Sequence, residues 1–260
     1  MGVGSMRQTG RALARRGRHS ARRVADHVLG PSAPPRFPSI EASLETLRAR
    51  GFECRTAVDV GAYEGTWTRM FKAIFPSSRI LMVEAQEAKQ RQLHEVAEQL
   101  AGDAEVAIAL LGPEDGRQVR FVEMGTGSSV FEENSPYDRQ YVEKTLVSLD
   151  AVIDAHPRFN RVDFLKLDVQ GYELEVLRGA SRVLSTSEFV LAEASLIQTN
   201  SDCPLIFEVM SFLAANGFRL LDFCSQIRRR DGALWQTDLL FVREDSSFVP
   251  SRRVELSNWG

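Results

Sequence analysis

The sequence predicts an α/β fold: a mostly parallel, seven-stranded sheet with helices on both faces and an antiparallel hairpin at the C-terminus. Three observations carry this. From Ile40 onward, short apolar runs alternate with segments of helical spacing, the pattern that builds parallel sheets covered on both sides. The runs "RILMV", "FLKL" and "FVLA" are continuous rather than alternating, as in strands buried on both faces. The last two extended segments are joined only by the polar turn "IRRRDG". A turn that short makes a hairpin, so one of the two strands must run antiparallel.

The elements follow in order. "IEASLETLRARG" spaces Ile40, Leu44 and Leu47 on one helical face and stops at Gly51. "TAVDVG" (56–61) is a strand ending in glycine, and "TWTRMFKAIFP" (66–76) a helix closed by Pro76. "RILMVEA" (79–85) is the second strand, and residues 87–102 form a helix with Gly102 at its end. "AEVAIALLG" (104–112) is the third strand, followed by the turn "EDG" and the extended piece "RQVRFVEM". "VDFLKLDV" (162–169) is the fourth strand, "YELEVLRGASRVL" (172–184) one helix, and "EFVLAEASL" (188–196) the fifth strand. A helix over 205–217 leads to the closing strands "FRLLDFCSQ" and "ALWQTDLLFVRE". Tyr141 and Lys144 are three apart, not four as in a Tyr-x-x-x-Lys reductase pair, and read as surface helix residues.

Composition bounds the function. At 260 residues and 43% hydrophobic, the chain can bury a sizeable core in one large domain. Charge is unevenly spread: residues 1–30 hold seven arginines and one acid, Asp26, within an overall charge of −3. Residues 1–39 therefore read as a separate basic segment, disordered or partly helical, and 40–260 as the main folded domain. The plain reading of residues 7–23 is a solvated tail; the sharper one is a basic arm that touches nucleic acid or an anionic membrane surface. Cys54, Cys203 and Cys224 lie far apart and are odd in number, so no disulfide framework is built and a reducing, cytoplasmic location fits. No apolar run is long enough to span a bilayer. The four histidines are scattered without ligand spacing, and no metal is expected.

In an open α/β sheet the ligand sits beyond the carboxyl ends of the strands. The first strand runs into "VDVGAYEGTWT", with Asp59, Gly61, Tyr63 and Gly65. Glycine there permits positive φ and close approach of backbone to a ligand. The G-x-x-x-G spacing differs from the G-x-G-x-x-G of a pyrophosphate loop, which favours a phosphate-free adenosine cofactor over NAD. Asp59 is then placed to face the cofactor's ammonium. Glu84 ends the second strand, where a carboxylate accepts hydrogen bonds from both ribose hydroxyls.

At this point the sequence resembles the FkbM-type family of S-adenosylmethionine-dependent methyltransferases. The likeness rests on "AVDVGAYEGTWT", "ALLGPEDGRQVRFVE" and "SLDAVID…VDFLKLDVQGYELEVLRGA" and spans roughly residues 44 to 243. The resemblance implies a Rossmann-like class I methyltransferase fold, S-adenosylmethionine as cofactor, and methylation of a hydroxyl on a small-molecule acceptor such as a sugar or natural product. By position it matches Asp59, Gly61 and Gly65 to the cofactor loop, Glu84 to the ribose acid and Asp168 to the acid after the fourth strand. The chain departs from the family pattern at Tyr63, where Asn is frequent, and at Ala85, where Pro is frequent. It departs again after Glu193, where "ASLI" replaces a closely following His.

Methyl transfer to an alcohol needs alignment and a proton acceptor. His156 precedes the fourth strand, at the wrong end of the sheet, and His94 lies within a helix. Asp168 and Glu193 close the fourth and fifth strands and are the candidate catalytic carboxylates, Glu193 being the candidate base. Asp168 should stay ionised beside a sulfonium. Glu173 opens a helix and reads as a capping residue, Glu175 as a solvated face residue. The acceptor pocket is expected from the insert that holds Gly125, Gly127, Ser128, Ser129, Phe131, Tyr137 and Tyr141, and from 195–204. Alternatives are a catalytically silent or nucleotide-binding Rossmann-like protein, and an RNA-directed methyltransferase using the basic arm.

Overall fold

A computed structural model describes residues 39–123, 128–131, 140–198 and 202–251, all within the unit Pro38–Gly260. The basic segment, including residues 7–23, lies outside the described residues, as do Gly125, Gly127 and Tyr137 of the insert. Helix α1 (Ile40–Ala49) starts at Ser39, whose side chain accepts from Ala42 N, and leads into strand β1 (Thr56–Val60). There follow α2 (Thr66–Ile74), β2 (Arg79–Glu84), a 3-10 turn at Glu87–Lys89, α3 (Gln90–Gln99) and β3 (Ala104–Ile108). Next come the short β4 (Leu110–Leu111), β5 (Gln118–Glu123), β6 (Gln140–Val147), α4 (Leu149–Ala155) and β7 (Phe164–Leu167). The chain then runs through α5 (Glu173–Arg178), α6 (Ser181–Thr186), β8 (Phe189–Ser195), α7 (Ile206–Ala215), β9 (Phe218–Phe223), β10 (Ile227–Arg228) and β11 (Leu234–Arg243).

The main sheet runs β3-β2-β1-β7-β8-β11. β1, β2, β3, β7 and β8 are parallel, whereas β11 is antiparallel to β8, β9 and β10. This is the expected architecture, with the two-residue β10 as an eighth strand. The chain leaves β1 toward β2 on one side, and β7 lies on the other, so the strand order reverses beside β1.

Period-two alternation splits the core into two layers. Val58, Val60, Leu81, Val83, Leu165 and Leu167 face α4 to α7, which contribute Leu149, Val152, Val176, Leu177, Val209 and Leu213. Ala57, Ile80, Met82, Phe164, Phe189 and Leu191 face α1 to α3, which contribute Leu44, Leu47, Phe71, Ile74, Leu93 and Val96. Edge-on and tilted contacts among Phe52, Phe71, Phe75, Phe164 and Phe189 fill that second layer.

Three sequence expectations change. The third strand breaks at Ala109, and β4 leaves the main sheet to pair with β6 in a separate three-stranded sheet β4-β6-β5. Tyr141 and Lys144 sit on β6, not on a helix. β6 pairs with β5 from Gln140 to Thr145, and its aromatic and β-branched residues suit that ladder. The helix expected over 172–184 is two short helices, broken at Gly179. A Cβ at Gly179 would stand 2.1 Å from the Gly112 carbonyl oxygen, and the Asp150 carboxylate caps α6 by accepting from Arg182 N and Val183 N. Among the described residues, no helix is long and apolar enough to cross a membrane.

Candidate active site

A cavity of about 790 Å³, including space open to solvent, lies at the carboxyl ends of β1, β2 and β7, where the strand order reverses. Val60, Val83, Leu110, Leu111 and Phe121 supply apolar walls, and Glu84, Asp168, Gln170 and Tyr63 supply polar groups. That mixture of apolar walls and a few polar groups is that of a small-molecule site.

Glu84 is 5% exposed and lines the cavity. Its Oε2 accepts from Tyr63 N at 2.8 Å, and its Oε1 from Gln86 N at 2.9 Å and Gln86 Nε2 at 3.3 Å. A carboxylate has about four acceptor positions, so the group is fixed in place and retains capacity for a ligand hydroxyl. Tyr63 takes a left-handed conformation (φ 49°) that aims its N–H at Glu84, and Lys89 Nζ sits 3.6 Å from the centre of its ring.

The glycines divide. Gly61 lines the cavity with φ 74°, and a Cβ on it would stand 1.9 Å from the Asp168 carbonyl oxygen. The close approach that excludes a side chain is therefore to the neighbouring strand's main chain. Gly65 does not line the cavity. It is the N-cap of α2 with φ 69°, and a Cβ on it would stand 3.0 Å from the Val96 side chain on α3.

Asp59 is where expectation and structure part. It is fully buried and lines no part of the cavity. Alternation turns it toward α2, while Val60 beside it turns toward the cavity. Its Oδ2 accepts from Thr68 Oγ1 at 2.7 Å, and its Oδ1 lies 2.9 Å from Lys166 Nζ. Asp59 and Lys166 are partners in the β1–β7 register. The geometry thus places Asp59 behind the cavity wall, not against a ligand's ammonium.

Asp168 follows β7 and lines the cavity, with its side chain 40% exposed. Its Oδ1 accepts from Gln170 Nε2 at 2.9 Å, and its Oδ2 stands 3.8 Å from Lys166 Nζ. Gln170 Nε2 also donates to Glu193 Oε2 at 3.1 Å, so one side chain joins the two acids named from the sequence. Glu193 is 7% exposed and does not line the cavity. Gln236 Nε2 is its second donor, at 2.9 Å. Burial, together with Asp168, Glu173 and Asp238 nearby, pushes the Glu193 carboxyl up to about 9.

Glu173 is buried and braces the turn after β7, accepting from Val169 N at 2.9 Å and Gly171 N at 3.2 Å. Burial raises it to about 7 despite those bonds. Glu175 pairs with Arg178 on the face of α5. Ser129 Oγ donates to Gln170 O at 3.1 Å, and the Phe131 ring meets Tyr172 edge-on at 5.2 Å. The described part of the insert is thereby laid across the 168–172 turn as a cavity wall. His156 bonds Glu105 at the start of β3, far from this end of the sheet. Among the described residues, no group of three His, Cys, Asp or Glu side chains is arranged to hold a metal ion.

Sequence reasoning passed over Lys166, Gln170, Gln236 and Asp238. The signal for Lys166 was present: a lysine inside the run "FLKL", two residues before Asp168. Gln236 and Asp238 gave no local sign, because only the β8–β11 pairing brings them beside Glu193.

A family model described as Methyltransferase FkbM domain matches residues 59–220. No curated protein matches the chain. Among solved structures, it is similar to the precorrin-6y C5,15-methyltransferase of Geobacter metallireducens, at 9% identity and TM-score 0.46. That alignment covers 79% of this chain and 88% of the other. It is also similar to the O-methyltransferase TomG of Streptomyces achromogenes, involved in tomaymycin synthesis and solved with S-adenosylmethionine. There the identity is 12% and the TM-score 0.46, with 78% of each chain covered.

Proposed function

The chain belongs to the FkbM methyltransferase family, and from that premise we propose that it methylates a hydroxyl of a small molecule, with sugars and natural-product glycosides as the acceptor class. It is an S-adenosylmethionine-dependent methyltransferase, and the residues present fit that cofactor. Glu84, anchored at the tip of β2 with acceptor capacity left over, would hold the ribose. Leu110, Leu111 and Phe121 would enclose the base, and the Gly61–Tyr63 backbone would border the rest. When bound, the cofactor supplies an activated methyl group on a sulfonium.

One observation carries the hydroxyl reading: Asp168, a partly exposed carboxylate, faces the same cavity as Glu84. A carboxylate there can orient an alcohol and take its proton. Glu193 was the sequence's candidate base, but it lies off the cavity, and burial with neighbouring carboxylates disfavours its charged form. That favours Asp168 as acceptor of the proton and Glu193 as the group that fixes Gln170 and Gln236. Residues 40–260 are taken as the methyltransferase domain and 1–39 as a separate basic segment. Three free, buried cysteines support a reducing, cytoplasmic setting.

The test uses the full chain with methyl-labelled S-adenosylmethionine and a panel of sugars, glycosides, amines and RNA. The reading expects label in a hydroxyl-bearing acceptor, with S-adenosylhomocysteine released in equal amount. Transfer to amines or RNA alone would refute the hydroxyl assignment, and absence of any turnover with cofactor bound would favour a silent binding protein.

A further inference from the structure

Lys166 is a buried cation on a sheet face crowded with carboxylates. Asp59 of β1 stands opposite it in register, Asp168 follows just past the end of its strand, and Glu193 of β8 and Asp238 of β11 share its neighbourhood. Burial alone would lower the pKa of its ammonium, but Asp59 and Asp168 outweigh that and the net shift is upward. Lys166 therefore keeps its charge. The whole chain has only four lysines, and arginine is its default cation.

The contacts of Lys166 link two walls of the cavity. Its Nζ donates to the carbonyl oxygens of Val60 at 3.2 Å and Gly61 at 3.1 Å, the first residues of the cofactor loop. The same atom lies 2.9 Å from Asp59 Oδ1 and 3.8 Å from Asp168 Oδ2. Three donors thus serve the loop and Asp59, and Asp168 is held by charge. Resting on the cofactor assignment above, we propose that Lys166 is a positioning residue of the methyl-transfer site: one buried ammonium fixes the glycine loop and the Asp168 carboxylate relative to each other, keeping the cofactor and acceptor sides of the cavity in register.

The test is a paired substitution. Lys166→Met removes the ammonium and keeps an apolar stem, and Asp59→Asn removes the buried charge otherwise left unpaired. A purely structural role predicts that the double variant regains both melting temperature and affinity for S-adenosylhomocysteine. Positioning predicts that melting returns to within about 5 °C of wild type while affinity by titration calorimetry stays at least about tenfold weaker, since the loop is no longer held. Affinity within about twofold of wild type overturns the proposal. Should the pair not fold, the wild-type chain labelled with 15N-lysine decides. Lys166 is then the slowest-exchanging of four ammonium signals, and saturating S-adenosylhomocysteine should shift it; an unmoved signal overturns the proposal equally. A wild-type chain that binds no S-adenosylhomocysteine would instead undo the cofactor assignment.

Discussion

Gly61→Ala tests the site at its tightest point. The native residue has φ 74°, and an added Cβ would stand 1.9 Å from the Asp168 carbonyl oxygen and 2.9 Å from its carbon. The left-handed conformation costs an alanine about 1–2 kcal/mol. Collision with main chain, which cannot rotate away, adds about 1–3 kcal/mol. For a domain of this size each kcal/mol lowers melting by about 2–4 °C, so a fall of about 10 °C is expected. Gly116→Ala is the control. Its φ is 84° but nothing lies within 4 Å of its added Cβ, so it carries only the conformational cost, about 4–5 °C on the same scale. Thermal unfolding followed by circular dichroism separates the two. Because relief of the clash pushes Asp168 off β1, Gly61→Ala should also weaken S-adenosylhomocysteine binding, and Gly116→Ala should not. Equal melting losses in the two variants, with unchanged binding, would refute the close-approach argument.

Further outcomes follow from the same geometry. Glu84→Ala should weaken S-adenosylhomocysteine binding at least about tenfold, since hydrogen bonds to a charged group are worth roughly 1.5–3 kcal/mol each; a wild-type dissociation constant rejects the ribose assignment. Glu173→Ala strands the N–H groups of Val169 and Gly171 and should cost roughly 2–5 kcal/mol, which an unchanged denaturation midpoint would contradict. Glu173 and Glu193 are raised from 4.5 to about 7 and about 9. The folded state therefore binds more protons than the unfolded one across that window, and stability should fall as pH rises. It is fully present below about pH 4.5 and lost by about pH 9. Replacing both by Gln should flatten the slope, and a parallel curve would show that other groups set it.

The layering of the fold was legible because burial on both sheet faces writes itself into sequence as continuous apolar runs. "FLKL" and "FVLA" became β7 and β8, and "IRRRDG" marked the antiparallel end. Glu84 was legible too, since a strand tip after a glycine loop is a position that topology alone defines. The β4-β6-β5 sheet was not, because β4 is two residues long, β5 and β6 are partly polar, and β6 pairs across the insert. The split between α5 and α6 was hidden for a related reason: Gly179 looks tolerable inside a helix until Gly112 is packed against it.

The sequence by itself determined the fold class, the family signature and which acids stand at strand ends, because these depend on order and periodicity along one chain. Only the tertiary structure decided what each acid does. Alternation turned Asp59 away from the cavity into a pair with Lys166, and the β8–β11 register set Asp238 and Gln236 around Glu193. Whether a carboxyl is charged, protonated or merely structural depends on desolvation and on the charges within a few ångströms, and those neighbours come from strands that are distant in sequence.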